Sequence, residues 1–122
     1  MGGIIIMART TLEVIHQHSE NLMSKNIEAV MADFTEDSIM ISPQATIKGL
    51  AGIRANFEAT IKNILTPDVK AEVLLEKAEG NIGYCLWRAE GDRFSIPFAT
   101  DTFVVENDKI MAQTFAAQVV KK

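Results

Sequence analysis

Asp101 stands in the middle of FATDTF, residues 98–103, a run of strand-forming residues. Ionised carboxylates are scarce in strand interiors, because a half-buried pleat strips their hydration and returns nothing. An inward-pointing carboxyl is useful, since desolvation raises its pKa and the neutral acid can then donate a hydrogen bond or a proton. His18 is a second group able to move protons near neutrality, with a reference pKa of about 6.5. Paired with Asp101, it would hold the carboxylate ionised and let the imidazole act as acid or base. Asp101 reads equally as a structural acid satisfied by Thr114, Tyr84 or His18. Ser42, directly before Pro43, offers a hydroxyl at a strand end. His16 and His18 do not form a metal site, because two residues apart on a helix they point about 200° from each other. No metal and no cofactor are expected. Cys85, the one cysteine, cannot form an intrachain disulfide and has no neighbouring base in sequence, so it reads as an inert residue on the outer face.

These side chains need elements to position them. TTLE at residues 10–13 is a capping box, opening a helix that runs to about Lys25. Ile27, Val30, Met31 and Phe34 share one face of a second helix, with Asn26 as its cap. SIMIS (38–42) reads as a short strand stopped by Pro43, and ATIKG as another. A third helix, from about Leu50 to Leu65, presents Leu50, Ile53, Phe57, Ile61 and Ile64 on one side. Four strands follow, Val69–Glu79, Ile82–Glu90, Phe94–Glu106 and Lys109–Val120. Helices first and a meander afterwards predict an α+β domain, with three helices packed on one side of a curved antiparallel sheet.

Two-residue turns at Gly80-Asn81 and Asn107-Asp108 set the strand register. The second pairs Glu106 with Lys109, then Val105 with Ile110, Phe103 with Ala112 and Asp101 with Thr114. The first pairs Leu75 with Leu86 and Lys77 with Tyr84. An unbroken ladder puts Tyr84, Ile82, Leu86, Phe103 and Thr114 on the inner face with Asp101. Trp87, Thr102, Met111, Gln113 and Phe115 then lie on the outer face. That outer face is apolar enough to suggest a homodimer packing sheet on sheet.

The chain has 122 residues, 48% hydrophobic and 23% charged, enough for one domain with one core. Residues 1–9 read as a flexible N-terminal extension and 10–122 as the domain. The net charge of −4 argues against a nucleic-acid partner. MGGIIIMA is too short to cross a bilayer and has no basic start. A cytoplasmic protein is expected.

The order of elements, together with DFTEDSIMISP, the Gly49 to Ile53 pattern and TDTFVVENDKIMAQTF, resembles the NTF2-like superfamily. That superfamily includes ketosteroid isomerases and SnoaL-type cyclases. The resemblance spans Leu12 to Val119 and implies a cone-shaped cavity between sheet and helices, in proteins that are often dimers. It places Asp101 at the position of the isomerases' protonated aspartate, His18 at that of their tyrosine and Ser42 at that of their carboxylate base. With a hydroxyl replacing the base, steroid-type isomerase activity is not expected. It also implies Gly where this chain has Asp108, which must then take a left-handed conformation.

Two function classes follow. One is a small-molecule enzyme with Asp101 and His18 as acid–base groups acting on an enolisable hydrophobic ligand, in a pocket lined by Ser42, Tyr84, Phe103, Thr114 and Phe57. The other is a non-catalytic module that binds a hydrophobic ligand or associates through the outer sheet face.

Overall fold

The computed structural model describes residues 8–122. Helix α1 (Thr11–Met23) begins at the capping box. Thr10 Oγ1 accepts from the Glu13 N–H at 3.1 Å, and a Glu13 carboxylate oxygen accepts from the Thr10 N–H at 2.8 Å. The chain leaves α1 through Lys25, at φ 62. Asn26 then caps α2 (Ile27–Met31) by accepting from the Ala29 N–H. Short strands β1 (Ile39–Ile41) and β2 (Thr46–Lys48) flank Pro43, and α3 spans Leu50–Asn63. The meander is β3 (Lys70–Glu79), β4 (Ile82–Glu90), β5 (Phe94–Glu106) and β6 (Lys109–Ala117), closed by β7 (Val120–Lys121).

The strands form one sheet in the order β2-β1-β6-β5-β4-β3, with β7 paired to β5. Three helices pack with this curved, unclosed sheet. It is mixed and not purely antiparallel as expected, because β1 runs parallel to β6 (Met40 opposite Gln113). The long connection through β2, α3 and the other strands allows that crossing, which a tight hairpin could not. Val14, Ile15, Val30, Ile53, Phe57, Phe103 and Ile110 form the centre of the core. Asn107 and Asp108 take φ 50 and 66, a left-handed pair that matches the hairpin's twist, so Asp108 occupies the expected backbone conformation.

Residues 1–7 of the expected N-terminal extension lie outside the described residues. Arg9, also assigned to that extension, is tied down. Its guanidinium meets Asp33 at 2.8 Å and Asp108 at 3.1 Å, and its backbone N–H donates to Asp108 at 3.0 Å.

Three bulges correct the expected register. On β3, Leu74 is extra, because Val73 pairs with Trp87 and Leu75 with Leu86. Between β4 and β5, Arg88 alone faces Pro97 and Phe98. Proline has no N–H to give the ladder, which explains a break there. On β6, Met111 is extra: Val105 pairs with Ile110 as expected, but Val104 pairs with Ala112, Phe103 with Gln113 and Asp101 with Phe115. A one-residue slip moves every later side chain to the other face. Tyr84 and Thr114 therefore pair with Thr102 on the outer face, and neither is a pocket residue. Ile82, Leu86 and Ala112 also face out, while Cys85, Trp87, Gln113 and Phe115 face in. Of the five residues expected on an outer interface, only Thr102 and Met111 remain there. No helix among the described residues is long and apolar enough to cross a membrane.

Candidate functional site

A cavity of about 480 Å³ opens between the inner sheet face and the helices. Its walls include Leu22, Met40, Ile47, Phe57, Phe103 and Phe115. Asp101, His18, Ser42, Phe57 and Phe103 all line it, so five of the seven residues singled out in the sequence meet at one place. Phe57 and Phe103 form its walls and leave its volume open. Its size lies within the ordinary range of small-molecule sites.

Asp101 is 9% exposed and sits mid-strand on β5. Its partners are neither His18, Tyr84 nor Thr114. The Trp87 indole N–H donates to Oδ2 at 2.8 Å, and the Gln113 amide donates to Oδ1 at 3.1 Å. Both donors face inward only because of the bulges. Burial pushes the carboxyl up to about 6, against the downward pull of those two hydrogen bonds. The carboxyl thus exchanges its proton close to neutrality, where a general acid or base works best.

His18 sits on the buried side of α1 inside an aromatic cage. Its ring centroid lies 5.8 Å from that of Phe34, 5.4 Å from Phe57 and 5.4 Å from Phe103, all edge-to-face. Nδ1 is buried without a partner, and burial lowers the imidazole to about 4. His18 is therefore neutral near pH 7, and the His–Asp pair, one of the alternatives the sequence left open, does not form. The ring packs as an aromatic side chain.

Ser42 follows β1 at the cavity rim. Its Oγ accepts from the backbone N–H groups of Gln44 and Ala45, both at 3.3 Å, which leaves the hydroxyl hydrogen free to donate. Asn56, on α3, adds an amide to the same wall. Cys85 lies inside, opposite Asp101 across the strands, and not on the outer face as expected. Burial pushes its thiol up to about 11, so it remains the inert residue its sequence suggested.

Trp87, Gln113 and Phe115 are the cavity-lining residues that sequence reasoning misplaced. Trp87 and Phe115 stack with centroids 6.1 Å apart and planes 16° from parallel, forming a panel beside Asp101. The signal that could have found them lies in β5. Its buried residues run Phe94 and Ile96, then Ala99, Asp101, Phe103 and Val105, an even-to-odd switch at Pro97.

The chain matches the SnoaL-like domain over residues 15–113. A comparison with curated proteins finds no match. Among solved structures, it is similar to a Kribbella flavida protein proposed to be a ketosteroid isomerase, with a TM-score of 0.75 and 15% identity, covering 88% of this chain and 77% of that one. It is similar to a Sinorhizobium meliloti protein proposed to be a polyketide cyclase, with a TM-score of 0.71 and 16% identity, covering 85% and 94%. It is also similar to a de novo designed protein with a curved β-sheet, with a TM-score of 0.76 and 16% identity, covering 92% and 88%. At these identities the likeness is one of fold.

Proposed function

The chain belongs to the SnoaL-like family, and within it we propose a small-molecule site in which Asp101 exchanges protons with an enolisable, largely apolar ligand. The observation that carries this reading is a carboxyl set in an apolar cavity and fixed by two N–H donors, where burial pushes its pKa up to about 6. Catalysis by a positioned carboxylate needs that combination of fixed geometry and a pKa near the working pH. In the proposed step, the ionised Asp101 takes a proton from a carbon beside a carbonyl. The electron pair of that C–H bond moves into an enolate, and the proton later returns to carbon. The free hydroxyl hydrogen of Ser42 and the Asn56 amide are the neutral donors in the same walls for the enolate oxygen. His18, neutral and caged, serves as wall and not as a proton carrier.

The test is solvent deuterium exchange at the α-carbon of a panel of aryl and alicyclic ketones, followed by NMR with wild type and Asp101→Asn. The expected result is exchange by wild type, reduced on the order of 100-fold or more in the variant. Equal rates in both proteins would eliminate Asp101 as the proton-transfer group.

A further inference from the structure

The cavity is one-signed. Its walls carry the carboxyl group of Asp101 and, among the described residues, no lysine or arginine; Glu72 borders it too, but its exposed carboxylate is paired with Arg88 at 2.8 Å. The one basic side chain there, His18, is uncharged near neutrality. The groups facing Asp101 from the packed elements are Cys85 on β4, His18 on α1 and Gln113 on β6, with Glu76 of β3, which pairs with His16, opposite Cys85 in the same row. None of them is a cation. The carboxylate is met by two neutral N–H groups alone, whereas a buried carboxylate is ordinarily balanced by a positive partner. A concave site lined by one sign of charge concentrates its field on whatever enters.

Two further features point to the missing partner. Trp87 holds Asp101 through its ring edge while its face stacks with Phe115, so a π surface stands beside the carboxylate. Cations are drawn to such faces. Gln113 is 4% exposed and lines the same wall, with Oε1 lacking any partner, a second acceptor with nothing to accept.

We propose that the cavity binds lipophilic amines in their ammonium form, with the N–H groups donating to the Asp101 carboxylate and the apolar body lying among Phe57, Phe103 and the Trp87–Phe115 panel. This rests on the cavity being a small-molecule site but not on the proton-transfer step, since it uses the same carboxylate as a fixed anion. Ligands ending in a carboxylate or phosphate are disfavoured, because the walls offer them no cation and the like charge of Asp101.

Isothermal titration calorimetry on the full chain at neutral pH, with phenylbutylamine, phenylbutanol and phenylbutyrate as size-matched probes, tests the assignment. The amine is expected to bind about tenfold or more tightly than the alcohol, as a charged hydrogen bond does over a neutral one, and the acid most weakly. In Asp101→Asn the amine should fall to the affinity of the alcohol. A second measurement needs no variant: lowering the pH through about 6 protonates Asp101 and should weaken the amine while leaving the alcohol unchanged. Alcohol or acid binding as tight as the amine, or amine binding indifferent to both pH and Asp101, would overturn the proposal. Amine preference without ketone exchange removes only the catalytic reading. Ketone exchange without amine preference removes only this one.

Discussion

At Asp101, burial outweighs the hydrogen bonds from Trp87 and Gln113, so the folded protein holds its proton up to about pH 6. An unfolded aspartate releases it near 3.8. A raised folded-state pKa contributes stability that is present below the unfolded value and lost as pH rises through the folded one. His18 does the opposite. Its folded value of about 4 lies below the ordinary 6.5, so its contribution is present above 6.5 and lost as pH falls toward 4. Each effect amounts to about 3 kcal/mol at its full extent, and between pH 6.5 and 4 they oppose each other. Urea denaturation from neutral pH to 4 should therefore show wild type with little slope from this pair. Asp101→Asn should lose stability on acidification by about 3 kcal/mol more than wild type. His18→Phe should lose correspondingly less than wild type. Parallel curves for the three proteins would mean that neither group is desolvated as described. Both residues were legible as chemistry-bearing types. Their mutual distance was not, because a helix's rotation about its axis is set by packing rather than by its own pattern.

Among the elements, α1 lies close against β4 at Gly83. A Cβ built there would lie 2.9 Å from Ile15 Cγ2, 3.1 Å from Ile15 Cδ1 and 3.3 Å from Thr11 Cγ2. Ile15 is fully buried and has little room to yield. Gly83→Ala should accordingly cost about 1–3 kcal/mol by overpacking, measured by urea unfolding. An unchanged midpoint would show that α1 does not bear on β4 at that point. Element limits were largely readable because their signals are local. The capping box begins α1, Asn26 caps α2, and the Ile82–Glu90 and Phe94–Glu106 strand limits match the sequence reading. The faces of the strands were not, because a bulge leaves propensity intact and changes only the count between partners. Asp101 points inward because it keeps unbroken alternation with Phe103 and Val105 back to the Asn107-Asp108 turn. Tyr84, Thr114, Trp87, Gln113 and Phe115 lie beyond a bulge from that turn, and all five turn over.

For the whole molecule, similarity to a designed curved-sheet protein, at a TM-score of 0.76, is as high as similarity to the protein proposed to be an isomerase. The architecture alone therefore does not carry an activity, and function has to be argued from the site. The site is defined by the content of the cavity: one carboxyl held by Trp87 and Gln113, a neutral caged His18, a hydroxyl at Ser42, and no cation in the described walls. All of this rests on Asp101 being inward, desolvated and reachable. The direct test is the pKa of its side-chain carboxyl, read by carbon-detected NMR across a pH titration of the full chain. A value of about 6 is the predicted result. A value at or below that of a free aspartate, about 3.9, would contradict the account, placing Asp101 in water or beside a cation and removing the basis for both proton exchange and amine binding.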